Sequence, residues 1–248
     1  MIDLAQLRAR ISALEGIPLL SAEKLPSAVP LGLPAIDAVL PWGGLPAGGL
    51  HEIRPERAGR PAAALGFAAF CLGRLARHRP GPLVWVSLTD DLYPPGLAEL
   101  GLPVERLLLV RPTRPAEALW SLEEALRCQA VAGLLGEVQG LDFKAARRLS
   151  LATRASGVPA LLLNRGAELA ALLTRWRVAA LPSRPPLAVG VGAPAWRLTL
   201  ARWRGLAMGE EEQAPQWQVE VKHATGGLGL VAYSQHRPSR QAGQRRAG

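Results

Sequence analysis

The chain has 248 residues, of which 49 % are apolar, and a formal charge of +9. That apolar content excludes wholesale disorder, and the length accommodates one large α/β domain with appendages. The longest apolar run, residues 61–73, stops at Arg74 and is too short to span a bilayer. The basic excess suggests a polyanion partner such as nucleic acid, although an arginine-rich composition can equally reflect a GC-rich coding sequence. The start, Met1-Ile2-Asp3-Leu4, carries an early acid and no basic n-region, and there are only two cysteines, Cys71 and Cys128. A cytoplasmic chain with reduced thiols is therefore expected.

In chain order, residues 3–15 read as a helix whose Leu4, Leu7, Ile11 and Leu14 form one narrow apolar stripe. This stripe is a candidate partner-binding face. A Pro- and Ser-rich linker follows to residue 30, so residues 1–30 are read as an N-terminal helix and linker. Residues 31–40 carry a short helix pattern, and 41–49 are turn-rich. Strand candidates then alternate with helix candidates: strand 50–53, helix 61–77, strand 83–88, helix 95–100, strand 107–110, helix 115–128, strand 131–135, helix 142–156, strand 160–163 and helix 168–173. That alternation, with strands apolar on both faces, predicts a doubly wound, mainly parallel sheet. After Trp176 the segments 177–181, 196–203 and 217–222 are β-rich and separated by Pro and Gly, which predicts an antiparallel extension. The main domain is placed at residues 31–233. Residues 234–248 hold Arg237, Arg240, Arg245 and Arg246 and no acid, and are read as a disordered basic tail that contacts DNA weakly.

The segment from Gly32 through Gly43-Gly44-Leu45-Pro46-Ala47-Gly48-Gly49-Leu50-His51-Glu52-Ile53 resembles the RecA family, in which such a turn leads into the strand before the phosphate-binding loop. The fold class implied is α/β, a RecA-like doubly wound sheet. The loop that should follow, G-x-x-x-x-G-K-[ST], uses backbone N–H groups around the phosphates, a Lys on the outer phosphates and a hydroxyl on magnesium. Here the corresponding eight residues run from Arg54 through Glu56, Arg57, Gly59 and Arg60 to Pro61. Only Gly59 keeps its signature position. Arg60 replaces the Lys, and a planar guanidinium is no simple substitute for an ammonium. Pro61 replaces the hydroxyl, yet suits the start of a helix. The alternative left open is that Arg57 and Arg60 still hold a phosphate.

Other positions that the RecA resemblance implies are altered too. Thr89 stands where the water-activating Glu is expected, beside Asp90 and Asp91, which either substitute for it or cap or solvate a strand end. Glu137 falls at the Walker B position as a vestigial acid, and Asn164 or Arg165 at the γ-phosphate sensor. The two long DNA-binding loops of RecA shrink to residues 138–141 and about 165–167. No intact cofactor site and no catalytic residue are expected.

The stretches Ser27 to Ile53, Arg106 to Arg127 and Ala195 to Gly205 are similar to recurring segments of the ImuA family, and that resemblance covers roughly residues 27–222. The resemblance implies a non-catalytic adaptor in SOS-induced translesion DNA synthesis and damage-induced mutagenesis. Its implied partner is ImuB, an inactive relative of Y-family polymerases, with RecA and an error-prone replicative-type polymerase as further candidates. Two rival readings are a divergent RecA-superfamily ATPase that uses Arg60 and Glu137, and a cell-division inhibitor of the SulA type.

The four histidines lack Cys or acid neighbours at ligand spacing, so no metal site is expected. Lys144, Arg147, Arg148 and Arg154 share the polar side of the helix 142–156, which is read as a solvated face. Among the seven tryptophans, Trp196 and Trp203 mingle with Arg197 and Arg204. That mixture suits a protein interface or base stacking as well as core packing, and these four residues are further partner-binding candidates.

Overall fold

The computed structural model describes residues 28–40, 42–57, 61–169, 172–183, 192–203, 214–222 and 227–231. The apolar stripe Leu4, Leu7, Ile11 and Leu14 lies outside these residues, as do Gly59, Arg60, Arg204 and the tail arginines Arg237, Arg240, Arg245 and Arg246.

Among the described residues the first element is β1 (Ala28–Val29), inside the stretch read as linker. It pairs antiparallel with β2 (Leu45–Pro46). Between them a single turn of helix, α1 (Pro34–Asp37), is closed by the Asp37 carboxylate, which accepts the Leu31 and Gly32 N–H groups at 2.8 and 3.0 Å. The chain then enters β3 (Leu50–Pro55) and passes through residues 56–61 into α2 (Ala62–His78). Next come β4 (Leu83–Val86), α3 (Pro94–Glu99), β5 (Leu107–Val110), α4 (Pro115–Arg127), β6 (Gly133–Val138), α5 (Phe143–Ser156) and β7 (Ala160–Asn164). Among the described residues β8 (Thr174–Leu181), β9 (Ala195–Trp203), β10 (Gln216–Lys222) and β11 (Gly227–Leu230) follow.

β3 to β11 form one nine-stranded sheet in the order β11-β10-β9-β8-β3-β7-β6-β4-β5. The six strands from β5 to β8 are mutually parallel, and β9, β10 and β11 extend them in antiparallel fashion. The expected α/β architecture with an antiparallel extension is therefore present, but the change of sense comes one strand later than expected. β8 is parallel to β3, Glu52 opposite Arg175, and only β9 turns back. β11 had no counterpart in the sequence reading, because Gly227 and Gly229 carry no β signal.

Each face of the sheet has its own core. On one side Phe67, Phe70, Leu72 and Leu75 of α2 pack on Ile53, Trp85, Leu135, Leu161, Leu163 and Trp176. On the other, Leu122 and Leu126 of α4 and Ala146 and Leu149 of α5 pack on Leu50, Val84, Val86, Leu134 and Leu162. Strands buried on both faces account for their near-continuous apolar sequences. α2 approaches the turn after α3 closely at Gly73, where a Cβ would come within 2.6 Å of the Gly101 carbonyl oxygen. Its last turn is held by Arg106, whose guanidinium donates to the carbonyls of Ala76, Arg79 and Gly81 at 2.7–2.8 Å.

The helix expected at residues 168–173 is corrected. The described residues there, 168, 169, 172 and 173, are not helical. Their backbone is engaged elsewhere: Leu173 N–H donates to Leu50 O at 2.8 Å, and Leu169 O accepts from Arg175 at 2.5 Å. The apolar spacing that suggests a helix instead buries Leu169, Leu172 and Leu173 against the sheet.

Candidate functional site at the carboxyl ends of the central strands

In open α/β sheets, ligands bind outside the carboxyl ends of the strands, at the point where successive connections run to opposite sides. Here β3 is that point. It leads by α2 toward β4, whereas β7 leads to β8 on the far flank of β3. Among the described residues, Arg54, Glu56, Arg57 and Pro61 of the expected phosphate loop, the acid Glu137 and the sensor candidates Asn164 and Arg165 lie at the carboxyl ends of β3, β6 and β7 or follow them.

The phosphate-loop segment is shorter than its alignment suggests. Arg54 and Pro55 belong to β3, opposite Arg177 and Val178 of β8, and Glu56 N–H still donates to Val178 O at 2.9 Å. Only residues 56–61 separate strand from helix. Arg54 leans back on Glu52 at 3.3 Å, and Glu56 is engaged by Arg197 of β9 at 2.7 Å. Arg57 is exposed. Pro61 lies immediately before α2 with φ −78°, and its carbonyl accepts the Leu65 N–H at 2.8 Å. It starts the helix as its fixed φ allows, without supplying a hydroxyl.

Glu137 is buried at the end of β6, on the same side of the sheet as α2. Both of its oxygens are taken. Trp85 Nε1 donates to Oε1 at 3.1 Å, and Arg165 Nη2 donates to Oε2 at 3.0 Å. A guanidinium thus stands against the acid that a RecA-like site would present to a metal. Arg165 also acts on Asp91, whose carboxyl is held below its ordinary range first by the Thr89 hydroxyl, at 2.6 Å, with the Arg165 charge adding to it. Thr89 and Asp91 form a turn with Ser87, and Asp90 is salt-bridged to Arg111. Both acids are thus engaged by neighbouring side chains beyond the end of β4.

On the opposite face of the sheet lies a network that the sequence reading missed. Glu52, fully buried in β3, accepts from Arg175 Nε at 2.5 Å and from Asn164 Nδ2 at 2.5 Å. Arg175 also donates to Glu168 at 2.7 Å, and Asn164 to Ala167 O at 2.7 Å. Asn164, a sensor candidate, thus ties the end of β7 to the following turn. An acid inside an apolar strand was the available signal, because a fully buried carboxylate requires a partner.

Trp196 and Trp203, for which an interface, base stacking and core packing were all open, are buried. Trp196 meets Phe67 edge to face, with ring centroids 6.1 Å apart, and Phe67 meets Trp176 at 5.4 Å. These rings join β8 and β9 to α2, so they hold the extension onto the domain. Arg197 is spent on Glu56. Beside the first turn of α2, a cavity of about 430 Å³ is lined by Ala62, Ala63, Gly66, Leu100 and Trp196. Its walls are mainly apolar, which does not suit a phosphate. Among the described residues, no three of His, Cys, Asp and Glu converge to hold a metal ion. No described helix is long and apolar enough to cross a membrane.

No protein-family model matches the chain. Among curated proteins it is similar to Protein ImuA of Caulobacter vibrioides strain NA1000 / CB15N and of strain ATCC 19089 / CIP 103742 / CB 15. In both cases identity is 39 % over 197 residues, covering 70 % of this chain and 78 % of the relative. Among solved structures, SulA from Pseudomonas aeruginosa aligns with a TM-score of 0.41 and 25 % identity, over 48 % of this chain and 98 % of that one. With more than a third of positions identical across most of the Caulobacter proteins, the chain belongs to the ImuA family.

Proposed function

We propose that this chain is a non-catalytic adaptor in DNA-damage-induced mutagenesis, built on a RecA-like core and acting through an ImuB-like protein, an inactive relative of Y-family polymerases. The observation that carries the reading is the state of Glu137. Both carboxylate oxygens are engaged by protein donors, one of them the Arg165 guanidinium. Pro61, at the start of α2, has no hydroxyl to share a magnesium ion. Phosphoryl transfer depends on metal and cation charge at the transferring group, and this arrangement offers neither in the required form. The passage from β3 through a short connection into α2, beside parallel β4, β6 and β7, supports the RecA-like reading.

The test is magnesium-dependent ATP binding and hydrolysis by the purified chain, with and without single-stranded DNA, alongside pull-down with the ImuB-like protein of the same organism. The expected outcome is no turnover and direct capture of the partner. Turnover that disappears in Glu137→Gln would overturn the non-catalytic reading. The double substitution Arg60→Lys with Pro61→Thr is expected to leave the chain inactive, because Arg165 still neutralises Glu137 and Thr89 still stands in place of an activating acid.

A further inference from the structure

α5 places five side chains on one outward stripe: Phe143, Lys144, Arg147, Leu151 and Arg154. At 100° per residue they fall within an arc of about 100°, and at 1.5 Å per residue they span about 16 Å. Ala145, Ala146, Leu149 and Thr153 are buried on the other side of the helix, and Ser150 is buried beside the stripe. Phe143 is 59 % exposed and Leu151 is 50 % exposed. Lys144 and Arg147 are exposed, and Arg154 is half-buried.

The charge on this stripe is uncompensated among the described residues. α5 contains no acid. The acids of the neighbouring α4 are already engaged: Glu117 by Arg114, Glu123 by Arg148 and Glu124 by Arg127. None of these pairs involves Lys144, Arg147 or Arg154. Leu151 and Phe143 add two exposed apolar side chains to this basic stripe, Phe143 at its N-terminal end. Basic and apolar side chains interleaved along one helix face complement a segment that interleaves carboxylates with apolar anchors.

We infer that the outer face of α5 docks an acidic, leucine-bearing helical segment of a partner protein, with Lys144, Arg147 and Arg154 pairing its carboxylates around an apolar contact at Leu151 and Phe143. A phosphate backbone would satisfy the cations but leave Leu151 against water or charge, so a polypeptide is favoured over nucleic acid. The inference deepens the adaptor reading and rests on it for its setting.

The probe is a synthetic amphipathic peptide with Glu and Leu on one helical face, compared with a scrambled peptide of the same composition. Fluorescence anisotropy with the full chain reads the affinity, and thermal melts verify the fold. Binding is expected to prefer the ordered peptide and to weaken with salt. It should fall at least tenfold in Arg147→Glu with Arg154→Glu, and at least threefold in Leu151→Ser. Lys144→Ala with Arg147→Ala is the milder variant should the reversal disturb folding. Failure of the ordered peptide to bind, or equal binding to Leu151→Ser, overturns the proposal. So does a face that loses only oligo(dT) binding on charge reversal, which would make it a nucleic-acid patch. The ImuB-like protein separates the two readings. If it binds wild type and variants alike, the α5 proposal fails and the adaptor reading stands. If it binds none while the peptide results hold, the adaptor reading fails and the α5 surface serves a different protein.

Discussion

His51 is fully buried where β2, β3 and β8 meet, and its neutral ring has both nitrogens hydrogen-bonded. Nε2 must donate to the Pro46 carbonyl at 3.0 Å, so Nδ1 accepts from the Thr174 hydroxyl at 2.8 Å. Thr174 in turn accepts from Trp176 Nε1 at 3.1 Å. Burial lowers the His51 pKa from 6.5 to about 4. Below pH 6.5 the unfolded chain takes up a proton that the folded chain refuses until about pH 4, so stability falls as pH drops through that window. At 1.36 kcal/mol per unit the loss is roughly 3 kcal/mol. Denaturant unfolding between pH 7.5 and 4.5 is expected to show this slope in wild type and a much flatter one in His51→Gln. An equal slope in the variant would assign it to other groups. The polar residues at the ends of β6 and β7 were legible as positions, since Glu137, Asn164 and Arg165 follow apolar strands. Their partners were not, because Arg165 reaches Glu137 across 28 positions and Arg175 reaches Glu52 across 123. No local pattern encodes pairings of that range.

Among the elements, α2 shows propensity and packing in opposition. Its core face carries Phe67, Phe70 and Leu75, and Gly73 looks like a weak point in a helix. Replacing such a Gly by Ala ordinarily gains about 1 kcal/mol. Here the added methyl would meet the Gly101 backbone at 2.6 Å, and backbone cannot rotate away. Gly73→Ala is therefore expected to destabilise the domain by about 1–3 kcal/mol, with a lower melting temperature. A higher melting temperature would show that the turn after α3 shifts freely. The boundaries of α4, α5 and β5 were readable because their signals are local. Pro115 opens α4, and Asp142 caps α5 by accepting the Ala145 N–H at 2.7 Å. β5 runs from Leu107 to Val110 as its apolar run indicates. Residues 168–173 misled because Leu169, Leu172 and Leu173 have helical spacing, while their backbone groups are claimed by β3 and by Arg175.

For the whole molecule, charge acts at longer range than packing. The tail arginines Arg237, Arg240, Arg245 and Arg246 contribute four of the 29 basic residues and meet no acid within residues 234–248. Deleting residues 234–248 is expected to weaken non-specific DNA binding and to flatten its dependence on salt, since fewer counterions are released. Unchanged affinity would place any DNA contact on the domain. By itself, the sequence determined the α/β class, the succession of strands and helices, the loss of the phosphate-loop residues and the family resemblance. Each of these is written in local residue order. Only the tertiary structure decided that β8 runs parallel to β3, that Trp196 and Trp203 are core, that Arg197 is spent on Glu56, and that Arg165 occupies Glu137. The physical reason is common to all four. Strand sense, ring burial and ion pairing depend on which distant segments the sheet brings side by side, and one-dimensional periodicity carries no information about that neighbour.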